Sequence, residues 1–383
     1  MTIKFRLSLF IIGSIIFADF GFAQTTNSSS REHLLMDFGW KFAFGHPFDP
    51  SKDFDNGTGY FSYLSKSGYG DGAAASGFDD RTWRKINLPH DWAVEQPVDQ
   101  KASFSHGFKA IGRNFPEKSV GWYRKSFKVP AADLGRRISI AFDGVYRNAI
   151  VWVNGHYLGT NASGYLGFEY DISSYLNYGG ENVIAVRADA TMEEGWFYEG
   201  AGIYRHVWLN KTNPLHVVSN GTFVTAAVKS NSADVTVRAT IMNDAAAVKT
   251  FTITQTVIDA AGNRVAGSAA KEVVLQSLQN KEILDVISVQ NPKLWSIETP
   301  NLYEVITEIK QGKNSIDSYT TNFGIRTIRF DANEGFFLNG KHVEIKGTNN
   351  HQDHAGVGSA MLIVVRTIRQ RQNCWMPATV WEC

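Results

Sequence analysis

"VWVNGHYLG", Val151 to Gly159, decides the fold class. Asn154-Gly155 lies between two apolar runs. A two-residue hairpin turn needs positive φ at both central positions, and Asn-Gly accepts that at little cost. The stretch therefore predicts a β-hairpin. "FFLNGKHVEI", Phe336 to Ile345, repeats the device at Asn339-Gly340. Working outward, apolar residues alternate with polar or small ones at Ile138, Ile140 and Phe142, at Ile184 and Val186, and at Val235, Val237, Ala239 and Ile241. That period of two marks half-buried strands. No long segment before Ala360 carries a convincing helical period, so the expected class is mainly β.

The length of 383 residues suits two or three domains. Aromatic residues make up 13% and glycines number 34, as β-rich domains with many turns require. Lysine and arginine total 38 against 37 acids, a net charge of +1. Neither a basic stripe for nucleic acid nor a charged tail is present.

Lys4 and Arg6, the apolar run Leu7 to Ile16, and Gly21-Phe22-Ala23 read as an export signal over residues 1–23, cut before Gln24. The run is too short to span a bilayer, and no later segment spans one. The expected location is periplasmic or extracellular. Both cysteines, Cys374 and Cys383, fall in the last ten residues, and sequence alone does not establish a bridge between them.

Composition divides the rest. Residues 24–215 are rich in aromatics, glycine and short strands; residues 216–325 turn Thr/Val/Ala-rich, with strand signals at the spacing of an immunoglobulin-like sandwich. Residues 326–360 open a third unit, and 361–383 diverge from it.

"FDDRTWRKINLPHDW", Phe78 to Trp92, has two readings: a loop and strand whose His90 and Asp91 bond each other and the backbone, or one that turns Asp91 or His90 toward a sugar. "EEGWFYEGAGIYRHVWL", Glu193 to Leu209, sets Trp196, Phe197 and Tyr198 among acids, which suits the apolar face and the hydroxyls of a sugar ring. It equally suits a loop whose aromatics plug a domain interface. Glu193, Glu194 and Glu199 are not a catalytic pair, because neighbours on one loop rarely face each other across a glycosidic bond. Arg124, in "GWYRKSFKVP", is a buried ion partner or a rim residue. "SGYGDGAAASGFDD", Ser67 to Asp80, lacks the ending of a phosphate loop and reads as a flexible surface loop. In "HQDH", His351 and His354 have zinc-like spacing but sit among glycines with no third ligand cluster. Hydrogen bonding to hydroxyls and plain loop histidines are the competing readings. No metal or cofactor is expected.

"FDDRTWRKINLPHDW", "GWYRKSFKVP", "FDGVYRNAIVWVNGHYLGTNASGY", "EGWFYEGAGIYRHVWL", "NPKLWSIETPNLY" and "FGIRTIRFDANEGFFLNGKHVEIKGTNNHQDHAGVG" occur in that order. Together, over residues 31–359, they closely resemble the N-terminal half of glycoside hydrolase family 2, the β-galactosidase and β-glucuronidase group. The resemblance implies a jelly-roll, galactose-binding-like sandwich, then an immunoglobulin-like sandwich, then the first fragment of a TIM barrel. It implies retaining hydrolysis of β-glycosides by two barrel glutamates, neither of whose motifs this sequence contains. In "GTNNHQDH", His351 matches a histidine lining the family's sugar pocket; His354 matches a second frequent histidine, and Asn350 stands where an arginine is frequent. The expected substrate-binding residues are therefore His351, Asn350, His354, Asp91, Trp196 and Glu199. After Ala360 the sequence leaves the family pattern, and a shifted reading frame or a damaged gene copy is the expected cause. The chain is expected to be inactive alone; the alternatives are a non-catalytic carbohydrate-binding module and a structural remnant. Preferred sugar and oligomeric state are not legible.

Overall fold

A computed structural model describes residues 31–57, 70–193 and 199–347. The expected export signal, the tail after Ala360 and both cysteines lie outside them. Among the described residues, helix occurs only as short 3₁₀ turns and the class is mainly β. No described helix is long and apolar enough to cross a membrane.

The first unit contains β1 (Glu32–Leu35), β2 (Trp40–Phe44), β3 (Arg84–Ile86), β4 (Val120–Lys128), β5 (Arg137–Phe142), β6 (Ala149–Val153), β7 (His156–Asn161), β8 (Phe168–Asp171), β9 (Glu181–Asp189) and β10 (Val207–Thr212). They form a four-stranded sheet, β1-β10-β5-β8, and a six-stranded sheet, β3-β2-β4-β9-β6-β7. Alternation sends Ile138, Ile140 and Phe142 inward from one sheet, and Tyr123, Val151, Ile184 and Val186 inward from the other. One sandwich core results. The hairpin at 154–155 forms as the sequence predicts, with φ of 50° at Asn154 and 83° at Gly155.

The six-stranded sheet is buried on its outer face as well. Trp122 of β4, Trp152 of β6 and Ala185 of β9 pack there with Ala73, Ala74 and Trp83. This corrects the surface-loop reading of Ser67 to Asp80. Its described part, from Gly70 onward, is a covering layer in which Ala73 and Ala74 are buried. The cause is Arg124, which projects from the same face of β4. Its Nη1 donates to the carbonyls of Ala73 and Ala75, at 2.5 and 3.0 Å, while Nε pairs with Asp80 at 3.0 Å. Arg124 is thus the buried ion partner of the two readings. A second buried pair, Arg187–Asp53 at 2.9 Å, sits on this face, and Asp53 also accepts from Trp122 Nε1 at 2.8 Å.

The second unit contains β11 (Leu215–Val228), β12 (Ser232–Asn243), β13 (Lys249–Ile258), β14 (Arg264–Gly267), β15 (Lys271–Leu275), β16 (Gln279–Gln290), β17 (Tyr303–Gln311) and β18 (Asn314–Phe323). A three-stranded sheet, β11-β12-β16, faces a five-stranded sheet, β14-β13-β17-β18 with β15 also on β13. β12 alternates as expected: Val235, Val237, Ala239 and Ile241 are buried, while their neighbours face outward. Arg31 ties the two sandwiches. It forms two hydrogen bonds to the buried Asp317, at 3.0 and 2.8 Å, and Asp317 also accepts from Val217 N at 2.8 Å.

β19 (Ile328–Asp331), β20 (Gly335–Leu338) and β21 (Lys341–His342) make a small antiparallel sheet. The turn at 339–340 forms as predicted, with positive φ at both residues. The strand expected to continue through "HVEIKG" is short: β21 ends at His342, one further backbone bond runs from Val343 N to Phe336 O at 2.8 Å, and Ile345 is 70% exposed. A parallel barrel strand is held by neighbours on both sides and by helices on its faces; residues 344–347 lie in no strand of the described structure.

Candidate functional site

The expected site residues Asp91 and Glu199 meet in one place. Asp91 caps a short 3₁₀ turn that begins at Trp92. Its Oδ1 accepts from Ala93 N at 3.1 Å and from Ala201 N at 2.8 Å. Acidic side chains suit such a cap because they satisfy amides that the turn leaves over. The second bond links the "LPHDW" segment to the "EGAGIY" segment. Backbone bonds extend the link: His90 N donates to Ile203 O at 2.8 Å, and Trp92 N to Ala201 O at 2.9 Å. On the far side, Gly202 and Tyr146 exchange a pair of backbone bonds at 2.7 and 2.9 Å. Residues 201–203 are therefore laced between two partners.

Glycine is required at 202. Its φ is +114°, and a Cβ there would lie 2.2 Å from Tyr123 Oη and 2.7 Å from His90 O. Only a residue without a side chain lets the backbone approach so closely.

Glu199 is held from a third direction. Its N–H donates to Ser105 O at 2.8 Å. Its own carbonyl oxygen accepts from His106 Nδ1 at 2.8 Å. A carbonyl can only accept, so Nδ1 carries the proton. His106 Nε2 then lies 3.7 Å from Glu199 Oε2, with both side chains fully buried. Burial pushes the His106 pKa below its ordinary value, against the raising influence of the Glu199 carbonyl and of the Glu199 and Glu193 carboxylates. His106 thus orients the loop through Nδ1, while its Nε2 faces the Glu199 carboxylate.

His90 is a structural neighbour. Its Nδ1 meets Tyr123 Oη at 2.8 Å and its Nε2 meets Glu95 Oε1 at 3.1 Å. Burial lowers its pKa, while Glu95 opposes the shift.

Asp91 is 3% exposed and its carboxylate serves protein amides; Glu199 is fully buried and is held through its main-chain N–H and C=O. Trp196, His351, Asn350 and His354 lie outside the described residues. His106 was not singled out by sequence reasoning. It stands alone in "ASFSHGF" with no ligand spacing around it, and only the following Gly107, with φ of 62°, hints at a constrained turn. Among the described residues no cluster of three His, Cys, Asp or Glu side chains could hold a metal ion.

Comparison with known proteins places this arrangement. Residues 75–213 match the model for the sugar binding domain of glycosyl hydrolases family 2, and residues 216–326 match the model named glycosyl hydrolases family 2. The chain is 40% identical over 303 residues to a β-galactosidase of Bacteroides ovatus, covering 76% of the chain and 34% of that protein. It is 34% identical over 308 residues to a β-glucuronidase of Formosa agariphila, covering 74% of the chain and 31% of the relative. The crystal structure of a family 2 member from Bacteroides cellulosilyticus superposes with a TM-score of 0.68 at 34% identity, over 81% of the chain and 38% of that structure. The chain thus spans about a third of the length of the curated relatives it matches. It belongs to glycosyl hydrolase family 2, and what it spans is the N-terminal region of that family.

Proposed function

We propose that the chain is the supporting and substrate-positioning part of an exported family 2 β-glycosidase, which hydrolyses O-glycosyl bonds of β-linked galactose- or glucuronate-type sugars. The lacing of residues 199–203 carries this reading. Asp91, the Tyr146–Gly202 exchange and the His106 bond hold that segment from three sides. A sandwich invests in such a lock where a loop must be presented in one geometry. On this reading Trp196 and the aromatics beside it meet the sugar, with His351, Asn350 and His354. Asp91 and Glu199 act on substrate through the loop they anchor.

Retaining hydrolysis needs two carboxyls ~5–5.5 Å apart across the reacting bond. The buried Asp91 and Glu199 are engaged in anchoring, so we assign hydrolysis to the whole enzyme and binding support to this chain. The test is a calorimetric titration with a β-galactoside and a β-glucuronide, run beside a chromogenic assay. Saturable binding that Trp196→Ala removes, without turnover, is expected. Turnover by this chain overturns the supporting role. A titration in which Trp196→Ala removes no saturable site overturns the loop assignment.

A further inference from the structure

The four-stranded sheet turns its outer face toward the second sandwich across a groove of about 740 Å³, within the size range of ligand sites. Register sets what this face presents. His33, Asn210, Ser139 and Asp171 stand opposite one another across β1, β10, β5 and β8, and form one polar row. The adjacent outward row runs through Trp208, Ala141 and Glu169. Ser139 and Ala141 are small, so the middle of the face is a trough. His33, stacked on Trp208 at 4.0 Å, and Asn210 stand on one side; Glu169 and Asp171 stand on the other. Tyr319 and His216 of the second sandwich line the opposite wall.

The hydrogen bonds have a direction. His33 Nδ1 donates to Asn210 Oδ1 at 2.5 Å, and Asn210 Nδ2 donates to Glu169 Oε1 at 2.9 Å. Ser139 Oγ donates to the same carboxylate oxygen. Tyr319 Oη accepts from Asn220 N at 3.1 Å, so its own proton is available to a ligand. The groove's arginines are already engaged: Arg31 with Asp317, and Arg137 with Asp171 and with Asp244. Among the described residues, Glu169 receives only the neutral donors Ser139 and Asn210. The open groups are therefore hydroxyl binders beside the rings of His33 and Tyr319, with a net negative floor.

We propose that this groove binds a neutral oligosaccharide, at a site separate from the loop around Glu199. Ring hydroxyls would donate to Glu169 and accept from Tyr319, while an apolar sugar face lies along the trough. A uronate or phosphate would meet the Glu169 charge with no uncommitted cation to balance it. A sheet face offers no backbone ladder to an extended peptide.

The test titrates the whole chain with lactose, cellobiose and a galacturonic acid disaccharide, following protein signals by NMR. Saturable binding of at least one neutral disaccharide is expected, with the acidic one weaker by about tenfold or more. Ser139→Trp fills the trough and should abolish binding. Glu169→Ala should weaken it about tenfold, the scale of one charge-assisted hydrogen bond. The isosteric Glu169→Gln should narrow the gap between neutral and acidic sugars, and circular dichroism checks that each variant is folded. Shifts at Ser139, Glu169, Asn210 and Tyr319 report this groove and shifts at residues 199–203 report the loop, so failure here and failure of the loop reading are distinguishable. No saturable binding below about 10 mM, binding unchanged by Ser139→Trp and Glu169→Ala, or equal affinity for the acidic sugar overturns the proposal.

Discussion

The inner faces of the second sandwich are largely aliphatic: Val217, Val235, Val237, Ile241, Ile253 and Ile309 close it by strand alternation. The first sandwich buries Trp40, Trp92, Trp122 and Tyr123 and adds the guanidinium of Arg124. Aliphatic side chains fill space and carry no direction. Indoles, phenols and guanidinium groups fill space and also aim hydrogen bonds. The first sandwich spends those bonds on loops: Arg124 on the 73–76 layer, Trp92 Nε1 on Lys118 O, and Tyr204 Oη on Gly164 O. The second sandwich uses the device more sparingly, as where the buried Asn243 donates to Ala247 O and Gln276 O.

Substitutions can break this contrast. The largest loss is expected from Asp53→Ala. It takes from the buried Arg187 one carboxylate partner, leaving Asp189 at 3.2 Å, and frees both Trp122 Nε1 and His46 N. Removing one partner of a buried ion pair costs about 3–5 kcal/mol, readable as a lower urea midpoint. Ile241→Ala, in the aliphatic sandwich, should cost about 2–4 kcal/mol through the cavity it leaves. Loop geometry should not change: the resonances of residues 199–203 should stay in place. Asp91→Ala should reverse that pattern. Its global cost is about 1–3 kcal/mol for the amides of Ala93 and Ala201 left unsatisfied, but the chemical shifts of 199–203 should move.

Acidity probes the same contrast. Burial lowers the pKa of His90, His106 and His216, against opposing pulls from nearby acids. The unfolded chain then takes up more protons than the folded one below the ordinary value of about 6.5. That stability is full above this value and falls as pH drops through it. The hydrogen bond to Asp37 raises the His206 pKa. Its contribution is full below the ordinary value and is lost as pH climbs through the raised one. Three groups oppose one, so urea midpoints should fall between pH 7 and pH 5, and His106→Gln should flatten that slope. The smallest effect belongs to the second sandwich's surface. Lys229 pairs with Asp234 at 2.5 Å with both side chains open to solvent, so Lys229→Ala should cost about 0–1 kcal/mol.

The aliphatic sandwich was the more legible in sequence. Val235 to Ile241 alternate because one face of β12 is dry and the other is wet, and the two Asn-Gly turns announce themselves by the φ they require. The first sandwich hides more. β4 and β9 are covered on both faces, so Trp122 to Arg124 and Ala185 to Arg187 show no wet alternation. The covering of Ala73 and Ala74 depends on Arg124, some fifty residues away, and no local pattern in a Gly/Ala run reports that. The pairing of β10 with β5 and β1 is likewise set by long-range closure. At the site, Asp91 was visible as a polar residue before an aromatic, and Glu199 through its acidic, aromatic neighbours. Their shared task, tying two distant segments by backbone amides, was not visible, and neither was His106.

The central claim is that residues 201–202 are locked by the first sandwich. Amide hydrogen exchange at Ala201 and Gly202 tests it most directly, because their N–H groups donate to Asp91 Oδ1 and Tyr146 O. The account predicts protection on the scale of the β4 and β9 ladder, with Ala201 losing it selectively in Asp91→Ala. Exchange of both amides at the rate of a free peptide would contradict it.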